Sequence, residues 1–342
     1  MKKLVRKIAE EGTAGISVIL PAYNAEKTIE RAVESVLSQK IRRLELILID
    51  DGPTDGTEAR IKKYRKRIRY VRVPNRGVGA AQNLGIRLSR NDLIAFIDSD
   101  DEWLPGKLKD QMGLLRDRKE VALAATGVND VDKSGKLKRV HFQERSRRLW
   151  RSLMDCGNII PMSSVVLRNE ILRSIREPFT TISWYAEDYY LWLRLSKTHD
   201  FYISPKVYLN YTVAEHPVSM AKYPLSAVEK CFREISALVA RQGNPRDVEK
   251  IHSMMYFEKA ILHARSGDGR AVLRECFAAL RLSPWAGRNV ERCTSIGRIY
   301  AKVLWRGWEN LEISAKCSAP PWKRPPSILG MKFQFCFSLT LR

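Results

Sequence analysis

The regular alternation of short apolar runs with helical patterns over the first 130 residues is the feature that most constrains this chain. The runs lie at 16–21, 44–49, 70–73, 93–97 and 121–126. Apolar residues recur at helical spacing between them, and turn residues such as Gly52 and Pro53 separate the elements. This alternation predicts the α/β class, with a mostly parallel sheet flanked by helices.

The pattern loosens after residue 130 and then becomes helical. We expect a short strand at 163–167, a helix at 188–195 and two short strands within 200–211. The predicted organisation is a lead at 1–15, one α/β domain at 16–224 and a helical extension at 225–316. Residues 317–342 are rich in proline and apolar side chains, and we expect this tail to be poorly ordered.

Composition narrows the function classes. Hydrophobic residues make up 44% of the chain, which is enough to build a core and excludes a wholly disordered protein. The six cysteines form no CxxC pair, which argues against a structural zinc site or a disulfide framework. With 60 basic and 38 acidic residues the net charge is +22, a balance that attracts nucleic acid, anionic lipid or phosphorylated substrates.

The N-terminus is basic but is not followed by an apolar stretch, so we do not expect a signal peptide. No run approaches the ~20 apolar residues needed to span a bilayer. These features predict a cytoplasmic protein, either soluble or peripheral at the inner face of the cell membrane.

Polar residues follow three of the predicted strands at the point where each strand ends. They are Pro21, Ala22, Tyr23 and Asn24 after the first run, Asp50 and Asp51 after the second, and Asp98, Ser99 and Asp100 after the fourth. Carboxyl ends of parallel strands share one edge of a sheet, where α/β proteins bind ligands. Several carboxylates there need a compensating cation, which predicts a divalent metal with a nucleotide diphosphate as its co-ligand.

Five segments carry a family resemblance: ISVILPAYNAEKTIERAVESVLSQ, ELILIDDGPTDGT, NRGVGAAQNLGI, LIAFIDSDDEWLPGKL and AEDYYLWLRL. In order and spacing, over about residues 16–220, they resemble the successive motifs of the family 2 inverting glycosyltransferases of the GT-A fold. The resemblance implies a GT-A catalytic domain at 16–224. It also implies transfer of a sugar from a nucleotide-diphosphate donor, usually with Mn²⁺ or Mg²⁺, and inversion of the anomeric centre.

The resemblance also implies roles for single residues. The donor-binding set is Pro21, Ala22, Tyr23, Asn24, Asp51, Asn83, Asp98, Ser99 and Asp100. Within it, Ala22 and Tyr23 line the base pocket, Asp51 bonds the base, and Asp98 and Ser99 lie near the ribose and diphosphate. Asp100 coordinates the metal with Asp98, and Asp188 is the base that takes the acceptor proton, supported by Glu187. Gln82 stands where the family commonly has arginine, which leaves the donor's identity open.

Several alternatives stay open. His216 is either a ligand of metal or phosphate or an ordinary loop histidine, and Trp103 is either a substrate platform or a core residue. Glu187 and Asp188 could simply stabilise a helix start. The amphipathic stretch at 296–311 either contacts an anionic membrane or docks onto the catalytic domain.

Three functions compete. The leading one is an inverting transferase that moves a sugar to a glycan or lipid-linked acceptor, from a donor that the family resemblance implies is a UDP-sugar. The second is a nucleotidyltransferase acting on a sugar phosphate, although the segment PAYNAEKT lacks a glycine-rich phosphate loop. The third is a non-enzymatic nucleic-acid-binding protein, which the absence of a groove-reading or base-stacking motif disfavours.

Overall fold

One mixed sheet organises the chain in the computed structural model, which describes residues 15–141, 145–147, 149–181, 186–213 and 224–283. The strands, in chain order, are β1 (Ile16–Ala22), β2 (Leu44–Asp51), β3 (Arg69–Val73), β4 (Leu93–Phe96), β5 (Glu102–Trp103), β6 (Val121–Val131), β7 (Leu137–His141), β8 (Arg145–Arg147), β9 (Val166–Arg168) and β10 (Asp200–Thr212). The main path of the sheet is β3-β2-β1-β4-β9-β6-β10-β5, with β7 beside β6 and β8 beside β10.

The first half of this sheet is parallel, as the sequence predicts. β1 pairs in parallel with β2 on one side and with β4 on the other, and β3 extends β2 in the same direction. The second half is mixed, because β9 runs antiparallel to both β4 and β6 while β10 runs parallel to β6. The order reverses at β1, which places a crevice at the carboxyl ends of β1, β2 and β4.

Helices cover both faces. They are α1 (Ile29–Leu37), α2 (Thr57–Ile61), α3 (Val78–Leu88), α4 (Lys107–Asp117), α5 (Trp150–Cys156), α6 (Asn169–Arg173), α7 (Glu187–Ser196), α8 (Leu225–Gln242), α9 (Pro245–Ser266) and α10 (Gly269–Leu282). Within the described residues, no helix is both long and apolar enough to cross a membrane.

Two large apolar clusters form the core, one on each face of the sheet. Neighbouring residues of β1 alternate between them: Ile19 belongs to one cluster, and Val18 and Leu20 belong to the other. The cluster around Ile19 also includes Val228 and Phe232 of α8. The first helix after residue 224 therefore shares a core with the sheet.

Two expectations for the second half are wrong in detail. Residues 163–167 do not form one strand, because a 3-10 turn (Met162–Ser164) precedes β9. Residues 200–211 form one strand, β10, and not two. Pro205 lacks an N–H, and β10 passes it through a register shift between Ile203 and Val207 while keeping its pairing with β6.

Some sequence-based expectations lie outside the described residues. They concern most of the lead at 1–15, His216, the stretch at 296–311 and the tail at 317–342. The division of the chain into a lead, a catalytic domain and an extension remains a proposal.

Candidate active site

Hydrogen bonds join the loops that follow β1 and β2. Asn24 has a left-handed backbone (φ 51°), and its Oδ1 accepts from the backbone N–H of Thr54 at 2.8 Å. The backbone N–H of Ala25 donates to Thr57 Oγ1, also at 2.8 Å. Pro21 and Ala22 are buried beneath this junction, whereas the Tyr23 side chain is half exposed at its rim. This arrangement leaves the Tyr23 ring accessible to a planar ligand group.

Asp51 fastens the end of β2 to the loop before α3. It is buried, and its two oxygens accept from the backbone N–H groups of Arg76 (2.9 Å) and Gly77 (2.8 Å). Each oxygen keeps a second lone pair that could accept from a base. The neighbouring Asp50 accepts from the Tyr70 hydroxyl. Burial raises the pKa of the Asp50 carboxyl.

The acidic segment that follows β4, residues 98–101, is held in place by Ser163. The backbone N–H of Asp98 donates to Ser163 Oγ at 2.9 Å. Burial, with the charges of Asp100 and Asp188 close by, raises the pKa of Asp98 to about 7. Asp188 follows Asp98 by 90 residues, and the two carboxylates repel each other because the fold brings α7 to the end of β4.

Two neighbours complete this segment. Ser99 is partly exposed between the two aspartates, and Asp101 is buried, with one oxygen accepting from the backbone N–H of Thr212 at 2.9 Å. Burial and the charges of Asp101 and Asp98 raise the pKa of Tyr211, so its hydroxyl stays protonated beside the acids. The end of β10 is thus fixed against the acidic segment.

Asp188 lies in the first turn of α7, two residues after Ala186, whose backbone is left-handed (φ 52°). Its Oδ1 accepts from the backbone N–H of Tyr189 (2.7 Å), and its Oδ2 accepts from Asn158 Nδ2 (2.8 Å). Burial raises the pKa of Asp188, and the Asn158 hydrogen bond opposes this rise. Burial and the adjacent Asp188 charge also raise the pKa of Glu187, which favours its neutral form.

Asn83 and Gln82 have different environments on α3. The Asn83 amide donates to Phe179 O (2.9 Å) and accepts from the Phe179 N–H (3.1 Å), so its polar groups hold residue 179. Gln82 is fully buried, and neither its amide nitrogen nor its amide oxygen has a partner among the described residues.

Trp103 is a core residue in this structure. Its side chain is buried, and its Nε1 donates to Ser163 O at 2.8 Å. Two residues that contact Asp98 and Asp188 could not be found from the sequence, namely Ser163 and Asn158. Neither belongs to a motif, and only the fold brings them to Asp98 and Asp188.

A metal ion would find hard oxygen ligands in Asp98 and Asp100. Burial and, after it, the nearby charges of Asp100 and Asp188 raise the pKa of Asp98, and a cation would offset these charges. No group of three His, Cys, Asp or Glu residues within the described part of the chain is arranged to hold an ion. An ion held by these two carboxylates would need its remaining ligands from a bound diphosphate and water, as Mg²⁺ commonly does.

Comparisons with known proteins agree with this geometry. The family model for glycosyl transferase family 2 matches residues 17–168. Escherichia coli WfaP, a UDP-Glc:alpha-D-GlcNAc-diphosphoundecaprenol beta-1,3-glucosyltransferase, is 30% identical over 183 residues, covering 53% of this chain and 69% of WfaP. E. coli chondroitin synthase is 29% identical over 235 residues, which is 67% of this chain but only 33% of that enzyme.

The fold has solved counterparts. The crystal structure of S. aureus TarS 1–349 in complex with UDP-GlcNAc superimposes with a TM-score of 0.61 at 18% identity, covering 86% of this chain and 92% of that one. Together with the family-model match and the similarity to WfaP, this shows that the chain belongs to the family 2 glycosyltransferases and has their GT-A fold.

Proposed function

We propose that this chain transfers a sugar from a nucleotide-diphosphate donor, a UDP-sugar, to a hydroxyl of a glycan or lipid-linked acceptor. The reaction is a single displacement that inverts the anomeric centre. Asp188 is the base, and Asp98 and Asp100 hold a divalent cation.

One observation carries this proposal: the charges of Asp100 and Asp188 both act on Asp98, and all three carboxylates act on the Tyr211 hydroxyl, although β4 and α7 are far apart in sequence. A base for the acceptor therefore lies beside residues suited to a metal-bound diphosphate. Single displacement needs one carboxylate as base and no second carboxylate as nucleophile.

Asp188 supplies the chemistry of the acceptor side. As the acceptor oxygen bonds to the anomeric carbon, the hydroxyl proton moves to the Asp188 carboxylate. The bond between that carbon and the phosphate oxygen breaks, and the nucleoside diphosphate leaves with the electron pair. Burial raises the pKa of Asp188, which makes it a stronger base than an exposed aspartate.

The nucleotide-sugar donor is proposed to bind at the carboxyl ends of β1, β2 and β4. Tyr23 at the rim and Asp51 beneath it support a base-binding role, with Pro21, Ala22 and Asn24 forming the adjoining wall. A bound Mn²⁺ or Mg²⁺ would stabilise the negative charge that develops on the leaving diphosphate. Asp98 and Asp100 would hold this cation. The Ser163 hydroxyl keeps Asp98 in place by accepting a hydrogen bond from the Asp98 backbone N–H. His216, if it contributes, would do so from outside the described residues.

The acceptor is proposed by analogy with relatives. The printed name of WfaP specifies a UDP-sugar donor and an acceptor linked to a polyprenyl diphosphate. A lipid-linked acceptor would explain the excess of basic residues through contact with an anionic membrane at its inner face, with 296–311 as the contacting stretch. Flotation with anionic liposomes at low salt tests this contact, and a chain that stays at the bottom of the gradient contradicts it.

Substitution of Asp188 tests the mechanism. Asp188→Asn keeps the size of the side chain and removes the base, so sugar transfer should fall at least ~10³-fold while Mn²⁺-dependent UDP binding stays within about twofold. Asp100→Ala should remove the Mn²⁺ dependence of UDP binding, measured by calorimetry. Asp117→Asn is the matched control, because Asp117 is exposed and pairs with Arg116 at the end of α4. Transfer that survives in Asp188→Asn would overturn the assignment.

A further inference from the structure

We propose that Asn158 is a positioning residue for sugar transfer: its carboxamide holds the Asp188 carboxylate in the orientation that accepts the proton of the acceptor hydroxyl. This inference rests on the proposed function of Asp188. It assigns a role to a residue outside the five motifs that carry the family resemblance.

The contact is direct. Asn158 Nδ2 donates to Asp188 Oδ2 at 2.8 Å, while Asp188 Oδ1 is occupied by the Tyr189 backbone N–H at 2.7 Å. With one donor on each oxygen, the carboxylate is restrained at both ends. A carboxylate held only by Tyr189 could rotate about its Cβ–Cγ bond, since this torsion has a broad profile.

The orientation of the Asn158 amide follows from its second contact. Its Oδ1 accepts from the backbone N–H of Ile160 at 3.4 Å. With the oxygen directed to that N–H, the NH₂ group must face Asp188, so the amide cannot present its oxygen to the carboxylate without losing both hydrogen bonds. Asparagine therefore suits this position because it can donate to the Asp188 carboxylate, whereas an ionised aspartate has no proton to donate.

The loop that carries Asn158 is fastened to α7 on both sides. The Tyr189 hydroxyl donates to Leu153 O (2.8 Å) before the loop, and Trp192 Nε1 donates to Ile160 O (3.0 Å) after it. Gly157 turns the chain with φ 73°, a left-handed conformation that glycine adopts without strain. Asn158 and Asp188 are thus held in one frame, although they are 30 residues apart in sequence.

Asn158 is also exposed, while the side chains around it, such as Leu153 and Ile160, are buried. It therefore contributes little to the core. An exposed amide placed against the half-buried Asp188 carboxylate is more consistent with orienting that carboxylate than with supporting the fold.

The test compares two substitutions of similar shape in the full-length chain. Asn158→Leu removes both hydrogen bonds. Asn158→Asp keeps the acceptor for Ile160 N–H but puts a negative oxygen against Asp188. We expect kcat for transfer to fall about 10- to 100-fold in Asn158→Leu and further in Asn158→Asp, because precise placement of a base contributes at this scale. The Kd for UDP with Mn²⁺ and the KM for the donor should stay within about twofold.

Asn244→Asp is the matched control, because it makes the same chemical change at the N-cap of α9, where asparagine and aspartate cap equally well. It should leave kcat unchanged. A drop in donor affinity or in Tm that parallels the loss of kcat would mean that Asn158 acts only on the fold, and wild-type kcat in both variants would also overturn the inference. If Asp188→Asn retains transfer, the proposed role of Asp188 is wrong, and the inference about Asn158 is wrong with it. If Asp188→Asn is inactive and the Asn158 variants are normal, only the role of Asn158 fails.

Discussion

The burial of Asp98, with further acids close by at the end of β4, should make the metal-free protein less stable at high pH. Asp98 ionises with a pKa of about 7 in the folded chain, against an ordinary value of 3.8. Because the folded-state pKa is raised, the unfolded chain releases its proton first. The free energy of unfolding therefore falls as pH rises from about 4 to about 7 and levels off above that range.

The size of this effect follows from the shift. One pKa unit corresponds to about 1.4 kcal/mol, so the full rise would cost about 4 kcal/mol if Asp98 titrated alone. Asp98 is partly exposed, and it shares the repulsion with Asp100 and Asp188, so we halve this to about 2 kcal/mol. At pH 5, less than about half of this loss in the free energy of unfolding remains.

Asp98→Asn removes the charge but keeps the backbone N–H that donates to Ser163. In EDTA, we expect this variant to be more stable than wild type by about 2 kcal/mol at pH 8 and by less than about 1 kcal/mol at pH 5. Guanidinium unfolding at the two pH values measures both differences. An Asp98→Asn variant that is less stable than wild type at pH 8, or equally stabilised at both pH values, would refute the reasoning.

Asp132 provides the opposite control. Hydrogen bonds from Lys138 and Ser134 hold the pKa of its carboxyl well below the ordinary value. Its stabilising contribution is therefore present at neutral pH and is lost as pH falls towards its folded-state pKa. Asp132→Asn should destabilise the protein at pH 8, the reverse of Asp98→Asn.

Three further substitutions test the packing of the fold and the support of the acidic segment. In Gly79→Ala, the new Cβ would lie 2.2 Å from Thr180 O, so we expect a loss of at least about 2 kcal/mol in the free energy of unfolding. Gly113→Ala, with no atom within 4 Å of its Cβ in α4, should gain up to about 1 kcal/mol. If guanidinium unfolding gives the same change in stability for both variants, the backbone at Thr180 moves away from the new Cβ without cost, and the reasoning is wrong. In Ser163→Ala the Asp98 N–H loses its acceptor, and we expect Mn²⁺-dependent UDP affinity to fall about tenfold by calorimetry. Wild-type affinity would mean that the acidic segment is held by other contacts.

The sequence predicts well which strand ends lie together, because its signals are local. Asp51 and Asp98 each lie at the carboxyl end of an apolar run. Adjacent parallel strands bring such ends together, and this does not depend on how the rest of the chain folds. The loop contacts around Asn24 and Thr54 then follow from short turns.

The partners of individual side chains could not be predicted in the same way. Asn83 belongs to a motif, yet its amide bonds the backbone of Phe179, which is 96 residues away. Asn158 belongs to no motif, and its contact with Asp188 depends on how α5 and α7 pack. The sequence predicts two short strands within 200–211, whereas the structure has the single strand β10, whose pairing with β6 continues on both sides of Pro205.

The match to the family model ends at residue 168, but the structure gives no place to divide the polypeptide there. β10 lies beyond that point and still fills the sheet between β6 and β5, and α8 completes the apolar cluster around Ile19. A recombinant fragment cut at residue 168 would expose the edge of β6 and should aggregate. Chimeras meant to exchange acceptor preference within this family should therefore carry the segment through Gln242 as one block.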